Sequence, residues 1–216
     1  MEILTFTTPY LSSHTYLLTE NGHALIIDPC EMEEIKDVLQ KEGLQLDRAL
    51  LTHEHDDHIT GVNWVRGTLH VPVLCSAACA HNIQDPRLNY SYYFELTKSA
   101  MQELVVDESV TLAPFSCEAD ESFEVETTIR WQGHTLLLHE TPGHSRGCIC
   151  ILVDDAALFT GDTLLPVPTA TRYKTGSRKD FNEIAVPYLR SLDPALTVYP
   201  GHYAPFNLGE RLKSEP

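Results

Sequence analysis

Three imidazoles fall within six residues, at His53, His55 and His58, and a carboxylate, Asp57, stands beside the last of them. Neutral imidazoles and carboxylates at this density are the donors that zinc ligation uses. His53 and His55 are two apart, so at the end of a strand both rings point the same way. Asp57 and His58 follow where the chain turns toward a helix, and approach from a second direction. The bland alternative is a solvated polar loop rich in His and Asp. Three more places count against it. Thr141-Pro142-Gly143-His144, Thr160-Gly161-Asp162-Thr163 and Tyr199-Pro200-Gly201-His202 each put a glycine and then a ligand-type side chain directly after a predicted strand. Strand-end loops are where rigid scaffolds present functional groups. One such Gly-His or Gly-Asp step is an ordinary turn; three of them together with the histidine cluster predict a metal centre.

The elements that must position these residues are legible from the apolar pattern. Strands are predicted over 3–7, 15–19 and 24–27, the last two joined by the hairpin signal Asn21-Gly22. A helix over 31–42 carries the stripe Ile35, Val38 and Leu39 and stops at Gly43. A buried strand over 48–52 runs straight into His53, and Ile59, Val62 and Val65 give the spacing of a helix beginning near Asp57. The stretch 71–115 reads as irregular and partly helical, with Pro72, Pro86 and Pro114 as breakers. Strands return over 123–129, 135–139, 148–153 and 157–160, followed by a helix over 181–192, a strand over 196–199 and a short last helix. Two strand-rich halves, each ending in helices, predict two sheets packed face to face with helices outside.

Composition bounds the rest. The 216 residues fit one domain. No apolar run approaches the roughly 20 residues of a membrane span. Residues 1–10 lack a basic region and a long apolar segment, so no signal peptide is read there and a cytoplasmic protein is expected. Six cysteines, at 30, 75, 79, 117, 148 and 150, then read as free thiols, with Cys75 and Cys79 able to share one helical face. Only 15 basic residues stand against 31 acidic ones, a formal charge of −16. Nucleic-acid binding rests on Lys and Arg neutralising phosphates, so no nucleic-acid partner is expected. Bound cations would offset part of the acidity.

These motifs carry a resemblance. The early hairpin, Ile26-Ile27-Asp28-Pro29, the histidine cluster and the three strand-end sites resemble, in order and over nearly the whole chain, the metallo-β-lactamase superfamily of αββα hydrolases, and within it the small glyoxalase II-like (hydroxyacylglutathione hydrolase-like) branch. The resemblance implies an α/β (α+β) four-layer αββα sandwich as a single domain over 1–216. It implies two divalent ions, with zinc first and iron or manganese as other occupants. His53, His55 and His144 would hold one ion, Asp57, His58 and His202 the other, and Asp162 would bridge them. A metal-bound hydroxide would be the nucleophile on a small-molecule thioester or ester, with Asp57 orienting the water and passing its proton onward. Asp28 is expected behind the ligands, since outer residues orient ligating imidazoles, or else simply as a turn residue before Pro29. His14 stands where relatives often carry Asn and is expected near the site, or as a partly buried polar residue.

The chain also departs from its relatives. Cys30 replaces the usual Gly after Asp-Pro, and Ser145-Arg146-Gly147 follows His144 in place of Thr-Pro-Gly. After the Gly-Asp site, where a Gly-Arg step is common, stands Arg172-Tyr173-Lys174-Thr175-Gly176-Ser177-Arg178, the most basic stretch of an acidic chain. It reads either as a loop in which Arg172, Tyr173 and Lys174 meet an anionic group of the substrate, or as a solvated loop with Ser177 capping the next helix. The chain is not expected to carry the added C-terminal domain by which glutathione-thioester hydrolases bind glutathione. The alternative reading is a mononuclear Fe(II) persulfide dioxygenase of the same fold, using His53, His144 and Asp162. An RNA-processing nuclease and a non-catalytic metal-binding domain rank below it.

Overall fold

The computed structural model describes residues 1–98 and 111–214. Its strands form two six-stranded sheets among the described residues. The first runs in chain order through β1 (Glu2–Thr7), β2 (His14–Glu20), β3 (His23–Ile27), β4 (Gln45–Leu50), β5 (Val73–Ser76) and β6 (Glu121–Phe123). The second contains β7 (Glu126–Trp131), β8 (His134–Glu140), β9 (Ile149–Val153), β10 (Ala157–Gly161), β11 (Thr197–Pro200) and β12 (Phe206–Asn207), hydrogen-bonded in the order β12-β11-β10-β9-β8-β7. Both sheets are mixed. β1 to β3 form an antiparallel meander and β3 to β6 run parallel; β10 and β11 are a parallel pair in an otherwise antiparallel sheet.

Neighbouring residues along the strands fall into different cores, because side chains alternate between faces. Leu18 and Ile27 pack between the sheets with Trp131, Leu138, Ile151 and Phe159. Their neighbours Leu17 and Ile26 pack outward onto Ile35 of α1 (Glu33–Lys41). Trp64 and Val65 come from the short helix that follows α2 (Asp56–Ile59), namely α3 (Val62–Gly67), and Cys79 comes from α4 (Ala77–Asn82). On the far side, Cys150, Leu152, Leu158 and Val198 of the second sheet meet Leu189 and Leu208 of two late helices. There a helical run opens as α6 (Arg178–Asp180), passes through a π-helical turn at Phe181–Ala185 and ends as α7 (Val186–Ser191); α8 is Leu208–Leu212. The layers are therefore helix, sheet, sheet, helix. Central strands covered on both faces read as unbroken apolar runs.

Several boundaries differ from expectation. The strand expected over 123–129 is two strands in different sheets, separated at Val125, whose φ of +63° breaks the extended chain. β5 was missed, since four residues beside Pro72 carry too little periodicity. Cys75 lies in that strand and Cys79 in α4, so the two do not share a helical face. The helix expected near Asp57 is split between α2 and α3 around Gly61, whose missing Cβ lets the backbone sit against Pro29 O. Pro187 has no N–H to return to Glu183, and the turn ahead of it widens into π geometry. The middle of the chain adds α5 (Phe94–Thr97); residues 99–110 of the stretch expected to be irregular lie outside the described residues. All six cysteines are free and buried. Among the described residues no helix is long and apolar enough to cross a membrane.

Candidate metal centre

Parallel pairing gathers the strand ends. β3 and β4 run side by side, so Asp28 just past the first lies beside the segment just past the second; Asp28 N donates to Leu50 O at 2.9 Å. β10 and β11 do the same for Asp162 and His202, with Gly201 N donating to Gly161 O at 2.8 Å. Gly201 cannot be replaced cheaply: a Cβ there would run into Asp162 Oδ1 and come within 2.7 Å of His58 Cε1. The fourth segment, between β8 and β9, brings in His144. All seven residues expected as ligands are buried and meet at this one edge.

Two groups of donors could each hold a cation. The ligand atoms of His53, His55 and His144 all lie within 4.8 Å of one another, and so do those of Asp57, His58 and His202. Asp162 stands between the groups. Its Oδ1 is 3.6 Å from His58 Nε2, and its Oδ2 is 3.6 Å from His144 Nε2 and 3.5 Å from His202 Nε2. Asp57 Oδ2 is 3.2 Å from His202 Nε2 and 3.4 Å from His58 Nε2. A third convergence, Asp28 with His53 and His58, is explained differently. Asp28 already accepts from Thr52 N at 2.7 Å, Thr52 Oγ1 at 2.6 Å and His58 Nδ1 at 2.9 Å. It thus orients the cluster rather than offering a free oxygen.

These bonds set the tautomers. Thr52 Oγ1 donates to Asp28 and can accept from His53 Nδ1 at 3.1 Å, which leaves His53 Nε2 with its lone pair. His144 Nδ1 donates to Ala170 O at 2.9 Å and likewise keeps Nε2 open. That Nε2 meets His55 Nδ1 at 2.9 Å, a contact in which a cation could replace the shared proton. Among the described residues, the buried atoms His53 Nε2, His55 Nε2, His58 Nε2, His202 Nδ1 and Asp162 Oδ1 have no hydrogen-bond partner. Buried polar atoms are nearly always satisfied, so a concentration of orphans calls for an explanation. Divalent cations supply one for His53 Nε2, His58 Nε2 and Asp162 Oδ1; the rings of His55 and His202 turn their other nitrogens, Nδ1 and Nε2, to the centre. The donor set of imidazole and carboxylate fits zinc and its neighbours.

The electrostatics agree. Burial, together with the charges of His58 and His55, pushes His53 far below the ordinary imidazole value; burial and His144 do the same to His55. Burial also lowers His144. These three rings are held neutral, the form that binds metal. For His58 burial pulls down, but Asp57, Asp28 and Asp162 outweigh it and raise the ring to about 10. Burial likewise opposes, and Asp162 and Asp57 overcome, at His202, whose value is raised. Against burial, His58 and His202 hold Asp57 below its ordinary value. In the cation-free chain the second group thus binds protons that a cation would displace.

The centre opens into a cavity of about 650 Å³ whose lining includes His55, Asp57, His144, Asp162 and His202. Arg172, Tyr173 and Lys174 line it too. Tyr173 packs edge-on against His55 and His144, with centroids 4.8 and 4.9 Å apart. Tyr90 joins this wall 4.9 Å from His55, and its hydroxyl accepts from Lys174 N. The backbone of Tyr90 is left-handed at φ +71°, a costly conformation for an aromatic residue that sets its ring between His55 and the basic loop. Ser177 caps α6 by accepting from Asp180 N at 3.1 Å, as the second reading of the basic stretch expects.

His14 sits beside the centre without lining the cavity. Its backbone donates to Gly201 O at 2.7 Å and its ring meets Tyr16 Oη at 3.1 Å. Burial, with the charges of His202 and His58, lowers it to about 4. His23, His134 and His139 pair with Asp47, Asp154 and Glu126 away from the centre. Sequence reasoning missed Tyr90, Glu54, and the bond from Tyr10 Oη to Asp56 Oδ2 at 2.6 Å. A lone Tyr between Asn89 and Ser91 gives no local signal. Glu54 gave one, its place between two histidines expected as ligands.

Comparison with known proteins places this arrangement. A profile described as "Metallo-beta-lactamase superfamily" matches residues 8–202. A hydroxyacylglutathione hydrolase of Acidiphilium cryptum is 26% identical over 190 residues, covering 88% of this chain and 64% of that protein. The chain therefore spans less than two thirds of that relative's length. A Bacillus velezensis protein named "Probable polyketide biosynthesis zinc-dependent hydrolase BaeB" is 25% identical over 207 residues, 94% of this chain and 78% of the other. Among solved structures, the BLEG-1 B3 metallo-beta-lactamase superposes with a TM-score of 0.79 at 26% identity, covering 100% of this chain and 98% of that one.

Proposed function

Because this chain belongs to the metallo-β-lactamase superfamily, we propose that it is a hydrolase of a small-molecule thioester or ester, working in the cytoplasm with two divalent cations, zinc in the first instance. The observation that carries the reading is the convergence of His53, His55 and His144, and of Asp57, His58 and His202, each set with its ligand atoms within 4.8 Å of one another, with orphaned atoms at His53 Nε2, His58 Nε2 and Asp162 Oδ1 turned toward them. His53, His55 and His144 would hold one cation, Asp57, His58 and His202 the other, with Asp162 between them. Such a pair lowers the pKa of a water toward about 7 and polarises a carbonyl oxygen.

The chain's own residues supply the rest. Asp57, fixed between His58 and His202, is placed to orient the attacking water and to pass its proton toward the leaving group. Asp28 holds the tautomers of His58 and, through Thr52, of His53. Arg172 and Lys174 make no ion pair among the described residues, and they bring positive charge to a cavity whose other charged groups are carboxylates and imidazoles. They suit an anionic group on the substrate. Tyr90 and Tyr173 narrow the cavity beside the first position and exclude water from it.

The test is metal analysis of protein purified without added metal, followed by a thioester and ester panel with and without chelator. Two zinc ions per chain, with hydrolysis abolished by chelation and restored by zinc, is the expected result. Hydrolysis that survives complete metal removal sinks the mechanism. One iron per chain with oxygen uptake on a persulfide would support the dioxygenase instead. That reading leaves the orphaned Nε2 of His58 and the convergence of Asp57, His58 and His202 without a purpose, and two cations account for more of the site.

A further inference from the structure

Glu54 lies between two ligating histidines in sequence, yet in an extended segment its side chain leaves on the opposite side from theirs. It is wholly buried, and its carboxylate is taken by three donors from distant parts of the chain. Asn82 Nδ2, at the end of α4, donates to Oε1 at 2.8 Å. Ser145 Oγ and Gly147 N donate to Oε2 at 2.7 and 3.1 Å. Ser145 and Gly147 belong to the turn directly after His144, the ring whose Nε2 meets His55 Nδ1. Gly147 is required for the approach, since a Cβ there would strike Glu54 Oε2 and come within 2.7 Å of Cys79 Cα. The turn is pinned again where Gly147 O accepts from Ser76 Oγ at 2.8 Å.

We infer that Glu54 is a positioning residue. It locks the turn bearing His144, in the second sheet, to the strand end bearing His53 and His55, in the first, and so assembles the first cation position. The inference rests on the two-cation reading. Its physical basis is that 88 residues separate His55 from His144, and only tertiary contacts can hold their nitrogens 2.9 Å apart. Removing the carboxylate strands an amide, a hydroxyl and a backbone N–H in the interior, and the turn relaxes to satisfy them.

The experiment is zinc titration of the full-length chain against a chromophoric chelator, with His144→Ala marking which position is which. The wild type is expected to bind two ions. Glu54→Ala should weaken the position that His144→Ala empties by roughly ten- to hundredfold, the size seen for outer partners of metal ligands, and leave the other within about threefold. Glu54→Gln should recover most of the loss, because its carbonyl still serves Ser145 and Gly147 once the Asn82 amide turns over. Should Glu54→Ala fail to fold, Ser145→Ala removes one donor and should weaken the same position by a smaller factor. The inference is overturned if the alanine variants bind both ions as tightly as the wild type, if both positions weaken alike, or if Gln does not rescue. A wild type that takes up no zinc overturns the two-cation reading directly, before any variant is made, and this inference with it.

Discussion

Asp28 shows how one side chain orients two candidate ligands, His58 directly and His53 through Thr52. Its φ of +51° is a strained setting for a non-glycine residue, and it aims the carboxylate at Thr52 and His58 together. The Asp28→Ala chain should lose roughly ten- to hundredfold in zinc affinity while keeping its fold, as measured by chelator competition and circular dichroism. Unchanged affinity would reduce Asp28 to a turn residue. The basic loop makes a second prediction at this scale. In Arg172→Ala and Lys174→Ala, KM for an anionic thioester should rise about tenfold, roughly 1.4 kcal/mol each, while KM for a neutral one stays put. Equal effects on both substrates would remove any anion-binding role. The candidate ligands, which the structure brings together, were legible because imidazoles at short spacing and Gly-then-donor steps are local patterns. Tyr90 was not, because its importance lies in the partners that a left-handed backbone brings to it.

At the scale of elements, the site is made by two parallel strand pairs, β3 with β4 and β10 with β11, whose ends carry Asp28, His53, Asp162 and His202. Gly201→Ala should therefore damage the centre more than the sheet, since the added methyl would run into Asp162 Oδ1 and His58 Cε1 but comes only to 3.1 Å from the Gly161 backbone of β10. Loss of bound zinc with unchanged far-ultraviolet circular dichroism is the expected reading. At the opposite edge Asp47 ties the sheets together, accepting from His23 of β3 at 2.9 Å and from Trp131 Nε1 of β7 at 2.8 Å. Burial opposes, but these partners hold its carboxyl below the ordinary value. A depressed carboxylate stabilises the fold above its unfolded pKa of about 3.9 and stops doing so as pH falls through the folded value. Asp47→Ala should thus cost under about 1 kcal/mol at pH 6, the side chain being 22% exposed, and the deficit should fade below pH 4 in urea titrations.

Across the whole molecule, the centre joins two sheets that touch through a single apolar layer. If the candidate ligands from both halves bind cations, they do so in the folded state only, so zinc should stabilise the fold by linkage. At a thousand times the dissociation constant that is about 4 kcal/mol, and for a chain of this size a rise in Tm on the order of 10 °C. Chelation should reverse it, as read by calorimetry; a Tm indifferent to metal would mean the cations do not bridge the halves. Phe159 probes the layer itself. It is fully buried between Tyr16 and Tyr199, with centroids 5.1 and 5.0 Å away. Phe159→Ala should cost about 3–5 kcal/mol in denaturant unfolding.

Residue types and spacing alone determined the candidate donors, the glycine-then-donor steps at His144, Asp162 and His202, the layered class of the fold and the basic loop of an otherwise acidic chain. These follow from short-range rules: alternation along strands, helical spacing, turn chemistry. Only the tertiary structure decided that Asp162 stands between two groups of ligands, that the strand expected over 123–129 divides between sheets at Val125, and that Glu54 faces Ser145 rather than solvent. Each of those depends on pairings across tens of residues. The burial that supplies their free energy exists only once both sheets have closed on one another.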